Sequence, residues 1–305
     1  MSISTPEKKF YYLAGQGVSH SISPTIHQTV ADALGLPWEF QLYEAPSVSA
    51  VISTFRQPDF AGGVVTMPFK QTIMPYLDRL DAYASTLNAC NNVYLSPTGE
   101  LVGSNTDWIG ILQCLKSAST AGVGRPALVV GAGGAARAAV YALFAHLNCS
   151  TIYVINRLAG EVEALRKDAA KYAATGGPDI VHLESVEQAR ALKPEERPYY
   201  VVGTVPDFEP KTETEVAAAE MLKYFFSTGE KGVFLEMCFN PRSTRYLKAA
   251  KASGWPVVEG INIIGWQLDQ QYENWAGKDR VKEIPHEAAW AALYTAADKN
   301  RFINK

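Results

Sequence analysis

Cysteine is scarce in the 305-residue sequence: there are four, Cys90, Cys114, Cys149 and Cys238. No two form a Cys-x-x-Cys pair, and no histidine stands at metal-ligand spacing from any of them. A disulfide framework and a zinc site are therefore not expected, no metal site is expected elsewhere, and reduced thiols in a cytoplasmic chain are. Long apolar runs are also missing. Without about 18 consecutive apolar residues, no membrane-spanning helix is expected. The opening MSISTPEKKFYYLAG has no long apolar h-region or cleavage pattern, so no secretory leader is expected either. Nor is there an excess of positive charge: 28 Lys and Arg face 31 Asp and Glu, for a net charge of −3. Such a chain has no general attraction for nucleic acid or anionic lipid. What is abundant is apolar residue, at 47%, with 19% charged. That is enough to close a core, over a length suited to one large domain or two ordinary ones.

Short apolar runs alternate with longer amphipathic stretches, which predicts an α/β fold. Strands are expected at 10–13, 40–43 and 63–66, and a hairpin over 91–102 around PTG. A helix is expected over 24–34, with Pro24 in its first turn and Ser23 as an N-cap. Asp107 to Lys116 carries Trp108, Ile109, Ile111, Leu112 and Leu115 at helical spacing. Gly122, Gly124 and Pro126 then mark a break, and a second set of strands is expected at 127–130, 151–156, 179–183, 199–202 and 232–236. From Gly260 the chain reads as two helices, roughly 261–275 and 286–300. The 206–230 stretch has helical composition with weak phasing.

Between the strands at 127–130 and 151–156 lies GAGGAARAAVYALF. Gly131 allows a sharp turn, while Gly133 and Gly134 let backbone approach a diphosphate and keep the helix close to the sheet. The N–H groups at the helix start would face the anion. Strand, glycine turn, helix and second strand together point to a dinucleotide site at Gly131, Ala132, Gly133, Gly134 and Ala135. The second strand ends in Asn156-Arg157. Arginine there suits the 2′-phosphate of NADP, but no second cation follows, and Glu161 would repel a phosphate. Adenine stacking or simple solvation of Arg157 explains it equally well.

The N-terminal half carries polar residues at the ends of apolar segments: Ser21 and Ser23 in SHSISPTIH, Thr66 and Lys70 in VVTMPFK, Asn91 in NACNNVY, Thr106 and Asp107 in GSNTDWIG. Hydroxyls, a carboxamide and an ammonium suit a small polyhydroxylated acid. Ser21 and Ser23 flank Ile22, so in an extended segment both hydroxyls share a face and could hold a carboxylate. Each has an ordinary alternative: Ser23 can cap a helix, Asn91 can set a turn, Asp107 can cap the helix it opens, and Lys70 can be a solvated surface cation.

Taken together, SHSISPTIH, GGVVTMPFK, GSNTDWIG, GAGGAARA, NPRSTRYLKAAKASGW and GINIIGWQLDQQYENWAG resemble, in order and over nearly the whole chain, the motifs of the shikimate/quinate dehydrogenase family. The resemblance implies two domains. A substrate domain would be made of 1–106 and 261–305, with the C-terminal helices returning to it, and a Rossmann-type dinucleotide domain of 107–260. It implies hydride transfer between a nicotinamide and the ring hydroxyl of quinate or shikimate, with Lys70 and Asp107 as catalytic pair. Ser21, Ser23, Asn91, Thr106 and Gln267 would contact substrate, with Thr66 nearby. Thr204, Gly260, Asn156 and Arg157 would join the glycine turn on the cofactor side. The enzyme would be a monomer or homodimer.

The sequence departs from the family pattern at several places. Asn88-Ala89-Cys90-Asn91-Asn92 replaces Gly-Ala-x-Asn-Thr, Glu236 replaces aspartate, Phe239 replaces tyrosine, and NRLAGE lacks the usual later arginine. The missing basic residues favour NAD over NADP and, with NAD, use of quinate. A catalytically silent regulatory homologue would be expected to have lost Lys70 or Asp107, and both are present. A dehydrogenase acting on a folate would not need the serine pair or the Gln267 motif.

Overall fold

The computed structural model describes residues 7–174 and 176–304. The chain divides into two compact units. One comprises residues up to Ser85, Ala89–Thr106 and Gln267–Asn300; the other comprises Thr86–Asn88, Asp107–Trp266 and the segment from Arg301. The chain changes unit between Thr106 and Asp107, and again after Trp266, later than the 260/261 boundary expected from sequence. The helix Ile261–Trp266 stays with the second unit because Ile261 and Ile263 are buried there and the helix packs on Asp107–Ala118. The tail also belongs to the second unit rather than the first: Ile303 is buried, and its carbonyl accepts from the Arg242 N–H at 2.7 Å.

In the first unit, β1 (Lys9–Gly15), β2 (Trp38–Glu44), β3 (Phe60–Val65), β4 (Arg79–Leu80), β5 (Asn92–Leu95) and β6 (Leu101–Ser104) form one sheet in the order β2-β1-β3-β5-β6-β4. β1 is parallel to β2 and β3; β5 is antiparallel to β3 and β6. The hairpin expected around PTG joins β5 to β6, turning at Gly99 with φ +83°, a backbone region that glycine enters without steric cost. A cluster including Phe55, Phe60, Val65, Ile73, Val93 and Leu101 forms one core layer. A second, aromatic set joins Tyr11, Trp38 and Phe40 to Tyr272 and Trp275 of the helix Leu268–Ala276. Gly62 makes that contact possible: a Cβ there would lie 2.6 Å from the Tyr11 ring and 2.7 Å from that of Trp275.

In the second unit, β7 (Ala127–Val130), β8 (Thr151–Ile155), β9 (Asp179–His182), β10 (Tyr200–Gly203), β11 (Val233–Glu236) and β12 (Val257–Glu259) run all parallel in the order β12-β11-β10-β7-β8-β9. ALVV, YVVG and VFLE are buried at every position, as befits parallel strands covered on both faces. Strand order reverses between β7 and β10, and in open α/β sheets the crevice at such a switch point, beyond the carboxyl ends, takes ligands. This is the α/β architecture expected, with a Rossmann-type second unit.

The weakly phased 206–230 stretch contains the helix Glu213–Ser227, started by a capping box between Thr212 and Glu215. The helix expected over 261–275 breaks at Gln267 into Ile261–Trp266 and Leu268–Ala276. No helix among the described residues is long and apolar enough to cross a membrane. Cys90, Cys114 and Cys149 are buried, and burial pushes the Cys90 and Cys149 thiols up to about 12, which leaves them protonated and unreactive.

Candidate active site

In the first unit, polar side chains from three separate segments converge. Asn91 follows the turn at 88–90, Thr106 ends the segment after β6, and Gln267 precedes the helix Leu268–Ala276. Asn91 Nδ2 donates to Thr106 Oγ1 at 3.1 Å and to Gln267 Oε1 at 3.4 Å, and the Thr106 backbone N–H donates to Asn91 Oδ1 at 2.7 Å. Thr106 Oγ1 lies 3.1 Å from Gln267 Oε1. All three are buried, so their polar atoms need partners. The alternative of Asn91 merely setting a turn does not describe it: its side chain makes tertiary hydrogen bonds.

Sequence reasoning missed a fourth member, Gln271. Its Nε2 donates to Gln267 Oε1 at 2.9 Å and to Thr106 Oγ1 at 3.3 Å, while its own Oε1 is buried with no donor facing it among the described residues. The signal was present: Gln267 and Gln271 stand one helical turn apart. Asn92, where the family pattern has threonine, accepts from Asn274 Nδ2 at 3.0 Å.

The serine segment differs from expectation. Ile22 has helical φ and ψ (−97°, −1°), so Ser21-Ile22-Ser23 is not extended, and the one-face argument for the two hydroxyls does not hold. Ser21 Oγ instead accepts from the Ser23 backbone N–H at 3.3 Å. Ser23 does not cap the helix Ser23–Ala33; it is its first residue, its N-cap is Ile22, and no side chain caps that end. Ser23 is buried and lines a small cavity of about 10 Å³ with His27, Phe40, Gln41, Val64 and Trp275. The loop before it is ordered by Glu44, which accepts from the Gly17 and Ser19 N–H groups at 2.8 Å each.

His27 was also missed. Its ring stacks on Phe40 at 4.9 Å, and neither ring nitrogen has a hydrogen-bond partner among the described residues. Burial pushes its pKa down to about 3, so the imidazole is neutral.

Thr66 follows β3, with its N–H donating to the Ala14 carbonyl at 2.9 Å, and its methyl packs against Gly15, where no Cβ would fit. Lys70 is half-buried in the short helical turn Phe69–Thr72, and its carbonyl accepts from Cys90 N–H at 2.7 Å.

Asp107 is buried at the first position of the helix Asp107–Ala118, in the second unit. There the glycine turn leaves β7 as the sequence predicts. Gly131 has φ +109°, and a Cβ on it would lie 2.5 Å from Thr204 Oγ1 and 2.9 Å from Val205; any other residue there would be strained and would clash. Thr204 Oγ1 donates to the Val130 carbonyl at 2.7 Å, tying the end of β10 to that of β7. Gly133 is exposed, with open space among the described residues where a Cβ would stand, and precedes the helix Gly134–Tyr141. Ala132 is buried and Ala135 half-buried. A glycine turn with open space above the start of a helix fits the diphosphate of a dinucleotide.

At the end of β8, Asn156 Nδ2 donates to Glu161 Oε2 at 2.9 Å, and Arg157 Nη1 donates to Glu215 Oε1 at 2.9 Å. Glu215 has a pKa lowered to about 2, chiefly by the Lys211 and Thr212 backbone N–H groups. Gly260 packs against the carbonyls of Met237 and Glu236, leaving no room for a Cβ. Glu236, at the end of β11, is buried, accepting from the Cys238 N–H at 3.3 Å and the Thr244 hydroxyl at 3.2 Å. Burial pushes its pKa up to about 8.

Residues 13–93 match the family model described as the shikimate dehydrogenase substrate binding domain. Over 93% of its length the chain is 38% identical to a quinate dehydrogenase of Emericella nidulans, covering 92% of that protein. The chain belongs to the shikimate/quinate dehydrogenase family. Two solved shikimate dehydrogenases are similar over most of the chain. The shikimate 5-dehydrogenase of Thermus thermophilus, in complex with NADP(H) and shikimate, is 27% identical with a TM-score of 0.68, over 93% of this chain and 99% of that one. The shikimate 5-dehydrogenase of Listeria monocytogenes, in complex with shikimate and NAD, is 26% identical with a TM-score of 0.73, over 96% and 99%. A nicotinamide cofactor follows for this family member.

Proposed function

We propose that this protein is a quinate/shikimate dehydrogenase that favours NAD, with the first unit holding the acid and the second the dinucleotide. The observation that carries the reading is the Asn91–Thr106–Gln267 cluster. Buried carboxamides and a hydroxyl, fixed by one another, form a recognition surface for ring hydroxyls rather than for apolar groups. Asn91, Thr106 and Gln267 would hold those hydroxyls, with Ser21 and Ser23 contacting the acid as the family resemblance implies and Thr66 nearby.

Oxidising the carbinol takes a proton from oxygen and a hydride from carbon. The nicotinamide, when bound, takes the hydride. In our reading Lys70 takes the proton and returns it in the reverse direction, while Asp107 orients the ammonium and hydrogen-bonds the hydroxyl. The cofactor diphosphate would lie on the turn Gly131, Ala132, Gly133, Gly134 and Ala135, with Thr204 and Gly260 on the nicotinamide side. Asn156 and Arg157 would meet the adenosine ribose. What supports NAD is that Arg157 is already engaged by Glu215 and that Glu161 lies beside Asn156; a 2′-phosphate would meet carboxylates on both sides.

A four-way assay tests the reading. Purified protein is mixed with quinate or shikimate and with NAD or NADP, and the reduced nicotinamide is followed by absorbance. Turnover with NAD and one of the two acids is expected. No turnover in any of the four mixtures, with ligand binding intact, would favour the silent homologue instead.

A further inference from the structure

Arg137 is the arginine of GAGGAARA, in the helix that the glycine turn opens, and it is 3% exposed. Its Nη1 donates to the carbonyls of Ala132 at 2.8 Å and Gly133 at 3.2 Å. Its Nε and Nη2 both reach Asp168 Oδ2 at 2.7 Å. Asp168 is itself buried and receives Asn88 Nδ2 on both oxygens, at 3.2 and 3.1 Å, with Lys171 Nζ at 3.5 Å. The Arg137 carbonyl accepts from the Tyr172 hydroxyl at 3.2 Å. Asn88 presents its carboxamide from a left-handed conformation, φ +49°.

We infer that Arg137 is a positioning residue that aims the diphosphate-binding N–H groups of the glycine turn. The inference rests on reading that turn as the diphosphate cradle. In a trans peptide the C=O and N–H point in opposite directions. The Ala132 carbonyl shares its peptide plane with the Gly133 N–H, and the Gly133 carbonyl with that of Gly134. One guanidinium nitrogen that holds both carbonyls therefore turns both N–H groups the other way, toward the open side of the turn. At the start of a helix such groups have no intrahelical acceptor and remain available to an anion. The Gly133 carbonyl is also held by the Arg137 backbone N–H at 3.2 Å, the first bond of the helix, so the guanidinium matters most at the Ala132–Gly133 peptide, where it removes the rotational freedom that glycine would leave. Asp168 neutralises Arg137, so the turn would attract the diphosphate through its N–H groups and not through a free cation. Arg137 is thereby distinguished from a 2′-phosphate ligand, which would act on NADP alone.

The test uses the full-length protein and measures affinity for AMP, ADP, NAD and NADP. Arg137→Met removes the brace but leaves Asp168 without its main cation. A double variant, Arg137→Met with Asp168→Leu, removes the pair together and avoids a buried lone charge. The expected result is a loss of about tenfold in ADP affinity, with NAD and NADP weakened by the same factor and AMP by less than about threefold. Arg137→Lys, which can hold the carbonyls or Asp168 but not both, should fall between. Unchanged ADP affinity in the folded double variant, or a loss confined to NADP, overturns the inference while the dinucleotide reading stands. A wild-type chain that binds none of ADP, NAD and NADP overturns both.

Discussion

Asn91 Nδ2 and Gln267 Oε1 lie 3.4 Å apart although 176 residues separate them in the chain, and Thr106 Oγ1 sits within hydrogen-bond distance of both. Gln271 completes the group from one turn further along the helix. Replacing Gln271 by Met keeps the volume and removes two donors. Each hydrogen bond lost costs about 1 kcal/mol of stability and frees the group it held. We expect KM for the acid to rise about three- to tenfold, with KM for the dinucleotide nearly unchanged and a fall of only a few degrees in melting temperature. Steady-state kinetics with each substrate varied in turn checks this.

Lys70→Met should lower kcat by about 10²–10⁴-fold if the ammonium relays the proton. A kcat within about threefold of wild type, with a raised KM for the acid, would leave Lys70 only an anchor. Asp107→Asn keeps shape and loses charge, so kcat should fall with the fold intact. A collapse in melting temperature would instead favour a capping role for Asp107.

The Arg157–Glu215 contact gives a handle on cofactor choice. Glu215→Gln keeps a side chain that can complete the capping box with Thr212 and releases Arg157 from a carboxylate. An exposed ion pair is worth about 1 kcal/mol or less, so KM for NADP should fall about two- to fivefold while KM for NAD stays put. An unchanged NADP value would show that Arg157 does not reach the ribose.

Glu236 makes a pH prediction. Its folded pKa, about 8, lies above the ordinary carboxylate value. As pH rises, the unfolded chain gives up this proton first, so Glu236 contributes stability below the ordinary value and loses it up to about pH 8. The slope should be about 1 kcal/mol per pH unit. Glu236→Gln should flatten the fall in melting temperature between about pH 6.5 and 8. A slope identical to wild type there would place the titration elsewhere.

His27 acts in the opposite sense. With a folded pKa of about 3, it stays neutral while the unfolded chain protonates below about 6.5. Stability is therefore lost as pH falls from about 6.5 toward 3. His27→Phe should preserve stacking on Phe40 and make the protein more resistant to acid unfolding across that window; an unchanged acid midpoint would count against it.

Much of this was legible in the residues. ALVV, then GAGG, then an alanine-rich helix, then TIYVI can form little other than a strand, turn and helix, because glycine and proline punctuation and apolar runs act locally. The hairpin at PTG and the helix from Asp107 were legible for the same reason. The Ser21–Ser23 geometry was not. Alternation along the sequence suggested an extended segment, whereas the helix begins early and Ile22 takes helical angles.

Local pattern determined the strands, the glycine turn and which polar residues stand at strand ends. Only tertiary structure decided that Gln267 starts a new helix in the first unit instead of continuing the previous one, that Gln271 is buried against Gln267 and Thr106, that His27 is buried among aromatic rings, and that Arg137 points inward to Asp168. The reason is physical: a backbone preference is set by a residue and its near neighbours. A buried polar atom, by contrast, must find its partner wherever the packed chain brings one, and that distance in sequence has no local signature.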